Sequence, residues 1–436
     1  MRRLALLTAL SLVATASWAQ TQVLPIESLE QAWQYAEQHN WDVQINTFEA
    51  EQAKRERQAV RSGLIPTVSA TGSSQQNMEL ATTFLPGEIV GQPGTVVPTQ
   101  LGQEFAYNAG VIIQKNFTAT ERVQTQQAKQ NLQVVEAQHA LYEQNLREQV
   151  AANYYTAQIA QQALELSLQD LALADSIAAL TAKKLAQGTT DRLALNQAIM
   201  NRNSVKQTLN GYEQLLDQSL RSLTWLLGVP DSVTLTVSAG TDLAQGLPLQ
   251  PLTGTDATIK VYETQRESAM LEVRNQQSRY LPTLSGQLYY GLQQFSNESG
   301  LDFGDEAWSD YQYATLSVSI PIFSGGQRMH KVQSAKVGEE LAQSRLERAQ
   351  QEASMQEAQL LADYYNSQEN AVYLKENLQL MQESRTLAQY QLQQGLVPLD
   401  TYLRIFEDTL RAEQAYLTAL TSQYGYYAQL IAKVES

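Results

Sequence analysis

The sequence predicts an α+β membrane protein with a duplicated plan: long α-helical coiled-coil hairpins joined to four β-strands per chain. Three observations carry that expectation. The first is an internal repeat, sought before any single motif. Ser62-Gly63-Leu64-Ile65-Pro66-Thr67-Val68-Ser69 returns as Ser278-Arg279-Tyr280-Leu281-Pro282-Thr283-Leu284-Ser285, Asn153-Tyr154-Tyr155 as Asp363-Tyr364-Tyr365, and Leu185-Ala186-Gln187-Gly188 as Leu392-Gln393-Gln394-Gly395. The order is kept and the offset is about 207 to 216 residues. The second is a seven-residue spacing of apolar and small residues sustained through two very long segments. The third is a set of short alternating segments, each near the length that crosses a bilayer as a tilted strand.

The amino terminus reads as an address. Arg2 and Arg3 precede an apolar stretch from Leu4 to Ala16, and Ser17-Trp18-Ala19 forms a small-x-small cleavage site. Residues 1–19 are therefore expected to be a secretory signal peptide. The remainder divides into a first repeat at 20–228, a linker at 229–255 and a second repeat at 256–436. Helices are expected at 28–62, 119–187 and 190–227, then at 256–280, 327–393 and 399–434. The two long members hold roughly 68 residues, on the order of 100 Å at 1.5 Å per residue. The shorter helices of each half, laid end to end, nearly match them.

Heptads run along both long helices. Val150, Ala157, Leu164, Leu171, Ala178 and Leu185 are spaced by seven, as are Leu346, Ala353, Leu360, Ser367, Leu374, Met381 and Ala388. A repeat held this long imposes left-handed supercoiling. Its many Ala and Ser residues permit close helix approach.

Strands are expected at about 67–79 and 104–116, and at about 283–295 and 310–321. Phe105, Tyr107, Ala109, Val111 and Ile113 alternate with Ala106, Asn108, Gly110 and Ile112, and Ala314, Leu316, Val318 and Ile320 with Thr315, Ser317 and Ser319. Tyr107, Tyr289, Tyr290, Trp308, Tyr311 and Tyr313 are candidates for an interfacial aromatic girdle. Four strands fall short of the roughly eight that close the smallest barrels. Strands that span lipid cannot leave an edge open, so several chains would have to share one barrel. The loops at about 80–102 and 296–308, with Pro86, Pro93, Pro98, Asp302, Asp305 and Glu306, are expected to be solvent-exposed caps.

Composition narrows the function. The 436 residues carry 45 Asp+Glu against 30 Lys+Arg, and no Cys. An acidic chain lacks the basic surface that nucleic acid requires. Without Cys there is no disulfide framework, thiolate metal site or lipid-bearing N-terminal cysteine. His39, His139 and His330 lie far apart, and no phosphate-binding glycine loop or G-x-S-x-G elbow occurs. No enzyme activity and no cofactor are expected.

These residues resemble the TolC family of outer-membrane efflux and type I secretion channels. The resemblance rests on Ser28-Leu29-Glu30-Gln31-Ala32 through Asn40, on the Leu64/Pro66 and Tyr280/Pro282 turns, and on Ser319-Ile320-Pro321-Ile322-Phe323-Ser324-Gly325-Gly326. It covers nearly the whole mature chain. It implies a homotrimer with a 12-stranded β-barrel in the bacterial outer membrane and a helical barrel across the periplasm. It also implies docking to a periplasmic adaptor protein and an inner-membrane pump of the RND, ABC or a similar class. The duct would be passive, exporting small toxic compounds or secreted polypeptides, and gated at its periplasmic tip by the adaptor.

By the same resemblance, Gln187, Gly188 and Thr189 in the first tip and Gln394, Gly395, Leu396 and Val397 in the second would receive the adaptor. Asp400 is the candidate for a ring of acids at the aperture, with Asp191 its counterpart and Arg404 near the place of a second acid. Family positions holding a latching Tyr and Arg are here Leu392 and Val397, so the closed tip must be held differently. Each feature also has a local reading: glycine caps a helix end, and acids favour a helix's first turn. Two rivals share some of these features. A periplasmic adaptor would show one hairpin between β-rich flanks. A structural coiled coil would not explain the strands.

Overall fold

Asn40 sets the first departure from the expected elements. In place of one helix over 28–62 there are two, α1 (Leu29–His39) and α2 (Trp41–Ser62). Asn40 itself is extended, at φ −61° and ψ 130°. Its side-chain oxygen accepts from the backbone N–H of Asp42 at 2.8 Å and Val43 at 3.1 Å. An Asn side chain that captures nearby amides in this way competes with the helical ladder and caps the next helix. At the other end of α1, Ser28 Oγ accepts from Gln31 N, and the Gln31 side chain accepts from Glu27 N.

The computed structural model describes residues 22–238, apart from 90 and 92, and 256–434, apart from 305 and 306. The expected signal peptide, most of the expected linker, and the loop acids Asp305 and Glu306 lie outside the described residues. The remaining helices are α3 (Ala119–Ala186), α4 (Arg192–Leu226), α5 (Ala257–Ser278), α6 (Gln327–Gln393) and α7 (Leu399–Val434). The chain separates into two units, residues 1–45, 140–255 and 354–436, and residues 46–139 and 256–353. Each draws on both repeats.

Among the described residues the first unit's one ladder is a parallel pair, β1 (Gln22–Ile26) with β6 (Val233–Val237), registered Gln22↔Val233 to Ile26↔Val237; the rest is mainly helical. The expected linker therefore begins with a strand. Five residues with Pro25 inside one strand and a partner some 210 positions away leave almost no periodic signal. The core joins this pair to α1, α3, α4, α6 and α7 through Ile26, Leu29, Trp33, Val150, Leu223, Tyr364 and Leu420. The duplicated tyrosine motif supplies much of it. Tyr155 lies 4.5 Å from Tyr424 and 5.8 Å from Tyr427 between ring centroids, and Tyr364 lies 6.0 Å from Tyr427. Tyr365, the repeat partner of Tyr155, is exposed. Gly228, just past α4, takes φ +67° and packs directly against the His39 carbonyl, where a Cβ has no room.

The second unit holds an antiparallel sheet of β2 (Thr67–Gln76), β5 (Phe105–Phe117), β7 (Thr283–Ser296) and β8 (Ser309–Ser319), in that order. Each repeat contributes one hairpin, and the β5–β7 ladder from Phe105↔Ser296 to Phe117↔Leu284 joins them. Register sorts the side chains. Val68, Ala70, Val111, Ile113, Leu288, Tyr290, Leu292, Ala314 and Leu316 share one face. It is apolar yet exposed, with Leu288 at 54%, Tyr290 at 67% and Leu316 at 72%. The opposite face carries Ser69, Thr71, Asn108, Gln287, Gln293 and Thr315.

That register corrects the expected girdle. Tyr289, Tyr311 and Tyr313 lie on the polar face, with the Tyr289 and Tyr313 rings stacked at 5.2 Å. Gly110 and Gly291 face each other beneath Tyr289, and a Cβ on Gly110 would stand 2.7 Å from its ring. Tyr107 instead accepts from Gly300 N, and Trp308 donates to the Asp302 carbonyl. The loop expected at 80–102 contains a further hairpin, β3 (Thr82–Pro86) with β4 (Val96–Gln100). In the same unit α3 packs on α5 through Gln127 to Glu272, Gln130 to the Thr264 carbonyl, and Ser278 to Thr120.

Candidate functional site

The tips of the two hairpins belong to the first unit and are built alike. After α3, Gly188 at φ +73° lets Gly188 N donate to the Leu185 carbonyl and Thr189 N to the Lys184 carbonyl. After α6, Gly395 at φ +74° repeats the motif, with Leu396 N donating to the Gln391 carbonyl. Only glycine adopts this left-handed turn without strain. Nothing lies within 4 Å of where a Cβ would stand on either glycine. Gln187, Gly188, Thr189, Gln394, Gly395 and Leu396 are exposed and Val397 is partly so, with Leu396 at 74%.

Of the aperture candidates, Asp191 caps α4, its Oδ1 accepting from Ala194 N at 2.8 Å. Asp400 sits in the first turn of α7, and Arg404 follows one turn later; all three are exposed. What joins the two tips is apolar. Leu392, only 4% exposed, packs with Tyr402, Leu403 and Phe406 of the second hairpin and with Ile177, Ala178 and Ala198 of the first. At the position where family resemblance implies a latching tyrosine, a leucine is buried between the hairpins.

A polar cluster that the sequence did not single out lies farther along the same helices. Asp170 of α3, Arg385 of α6 and Glu413 of α7 have side chains 4%, 18% and 8% exposed. Arg385 Nη1 donates to Asp170 Oδ1 at 2.6 Å and lies 3.8 Å from Glu413 Oε1. A signal existed. Tyr364, Ala371, Leu378, Arg385 and Leu392 are spaced by seven, as are Phe406, Glu413, Leu420 and Tyr427, and in each series one charged residue interrupts a buried stripe. The expected seam through Met381 runs along the edge of that stripe, and Met381 is 38% exposed.

Among the described residues no helix is long and apolar enough to cross a membrane. Solved structures share the fold. A membrane protein from Pseudomonas aeruginosa superposes with a TM-score of 0.78 at 18% identity, covering 93% of this chain and 92% of that one. CusC gives 0.77 at 18%, over 97% and 95%. The outer membrane protein VceC from Vibrio cholerae gives 0.75 at 17%, over 93% and 95%. The outer membrane efflux protein family model matches residues 32–229 and 251–433. The chain belongs to that family, and is an outer-membrane export channel rather than an enzyme. Relatives from Pseudomonas putida include the toluene efflux pump outer membrane protein TtgC and the antibiotic efflux pump outer membrane protein ArpC. Each is 23% identical over 431 residues, 96% of this chain and 86% of the relative.

Proposed function

We propose that three copies of this chain close one 12-stranded barrel in the outer membrane, forming a passive duct for cargo delivered by an inner-membrane pump. The observation that carries this is the four-stranded sheet. It presents a continuous apolar face while β2 and β8 have no further strand partner among the described residues. In hydrocarbon every backbone N–H and C=O must find an internal partner. Pairing β8 of one copy with β2 of the next supplies one, and three copies bring the strand number into the range of closed membrane barrels.

Gating is assigned to the tips. Gln187–Thr189 and Gln394–Val397 are the exposed surfaces offered to a periplasmic adaptor, and Asp400, with Asp191 and Arg404, faces the aperture. Repeated carboxylates around a narrow axis would favour cations. The names of the Pseudomonas putida relatives support small toxic compounds as cargo over secreted polypeptides.

Membrane extraction tests the assembly. A heat-modifiable oligomer that needs detergent and measures three chains by light scattering is expected; a single-copy particle stable in plain buffer overturns it. Conductance in planar bilayers tests the aperture. Asp400→Ala should lower cation selectivity, and unchanged selectivity removes Asp400 from the aperture.

A further inference from the structure

The Asp170, Arg385 and Glu413 cluster has an unbalanced charge: two carboxylates share one guanidinium in a largely buried place. Arg385 is committed to Asp170 at 2.6 Å, and its guanidinium also lies over the Phe406 ring at 5.6 Å. Glu413 receives a hydrogen bond from Gln382 Nε2 at 3.4 Å, and its contact with Arg385 is long. With all three groups ionised, a net negative charge would be held away from water, which is strongly disfavoured. One proton resolves the imbalance. A protonated Glu413 donates to Asp170, and the cluster becomes neutral.

We propose that this cluster is a proton-binding site that works as a clasp between the hairpins. With the proton bound, Asp170 on the first hairpin holds Arg385 and Glu413 on the second; with it released, two carboxylates oppose each other and the second hairpin loosens at its tip. The inference rests on the reading of the tips as the gate. Burial pushes the Glu413 carboxyl up to about 8, the hydrogen bond with Asp170 and its charge add to the rise, and Arg385 and Gln382 oppose it. The site therefore exchanges its proton near physiological pH. Tyr212 of α4 faces it from a packed helix, raised by its own burial and by Glu413, and Glu407 and Arg411 of α7 line the groove that reaches it. On α7 itself Tyr402, raised to about 12 by burial, has a buried hydroxyl with no hydrogen-bond partner. A groove of about 330 Å³ lined by Ser167, Thr208, Tyr212 and Gln414 reaches Glu413 and gives water a path to it.

The chain has no cysteine, so spin labels can be placed at will. Labels at Gln187→Cys and Gln394→Cys in the full-length, detergent-solubilised assembly report tip separation by pulsed EPR from pH 6 to 9.5. The expected result is a tip distance distribution that broadens and lengthens with a midpoint near pH 8. Glu413→Gln, neutral at every pH, should hold the narrow distribution throughout. Asp170→Asn, which leaves Glu413 and Arg385 a balanced pair, should abolish the midpoint as well. A wild type whose distances do not change, or a Glu413→Gln variant that titrates like wild type, overturns the clasp. Bilayer conductance separates the two readings. Distances that respond to pH as expected while open probability stays flat would keep the clasp and refute the tip as the gate.

Discussion

Replacing Asn40 by alanine is the sharpest test of how α1, α2 and α4 are held together. The side chain donates to the Leu226 carbonyl at 2.8 Å and accepts from Asp42 N, Val43 N and Tyr142 OH, while only 2% exposed. Loss of an N-cap of this kind costs about 1 kcal/mol. Stripping the buried Leu226 carbonyl of its donor costs a further ~1–3 kcal/mol. Tyr142 retains Asp42 Oδ2 at 3.1 Å and so adds little. The sum is ~2–4 kcal/mol. Denaturant midpoints of the detergent-solubilised chain, followed by far-ultraviolet circular dichroism, measure it. Asn40→Asp separates the two contributions, because it keeps the cap and sets a carboxylate against the Leu226 carbonyl. It should remain destabilised by at least the second amount. An Asn40→Ala variant within ~0.5 kcal/mol of wild type, the range of ordinary surface substitutions, would show that Asn40 does not hold these helices together.

Gly228→Ala combines a left-handed conformation with a clash on the His39 carbonyl and should cost ~2–5 kcal/mol, whereas Gly395→Ala meets only open space and should cost ~1–2 kcal/mol; the same midpoints compare them. Gly110→Val should expel Tyr289 from its place over the Gly110–Gly291 pair, seen as a weaker heat-resistant oligomer on semi-native gels with helix content unchanged. Leu392→Ala removes a buried side chain between the hairpins and should cost ~2–5 kcal/mol while raising spontaneous openings in bilayers. For Glu413 the folded pKa lies above the unfolded one, so the folded state binds more protons between them. Its stabilising contribution is full below about pH 4.5, declines as pH rises, and is gone above about 8. The midpoint of wild type should therefore fall between pH 5 and 9 more steeply than that of Glu413→Gln.

The parts of the fold that could be read from sequence are those with a long period. The heptad from Leu346 to Ala388 lies wholly within α6, which spans Gln327–Gln393. β5, β7 and β8 were legible because sustained alternation fits a strand and conflicts with the 3.6-residue period of a helix, whereas β2, small and polar throughout, was expected only because the internal repeat requires a strand there. Short elements were not. β1 and β6 are five residues each, and their pairing depends on packing against α1 that no local pattern announces. β3 and β4 sit in a segment rich in Pro and Gly, where turn signals outweigh strand signals. Asn40 closes the family-like opening segment, but only its bond to Leu226, 186 positions away, explains why a helix must break there.

At the candidate site, the glycines were legible in the sequence and the charges were not. Gly188 and Gly395 declare themselves because a chain reversal after a long helix needs a left-handed residue. Asp170, Arg385 and Glu413 are hidden because each looks ordinary among polar helix residues; a heptad stripe shows that Arg385 and Glu413 point inward, and the burial of Asp170 is seen only in the structure. Their burial has a consequence for the proposed gate. Leu392 and its neighbours hold the tips by apolar contact, which has no directional preference and tolerates sliding along Ala-rich seams. The buried triad has a fixed geometry and an odd charge, so it can be satisfied in one arrangement of the hairpins and one protonation state. An apolar cluster at the tip combined with a charged cluster farther along the hairpins would supply low resistance to motion and a defined rest position together. In that arrangement a partner need only disturb the proton or the Asp170–Arg385 pair to shift the balance, without prising apart the whole helical packing.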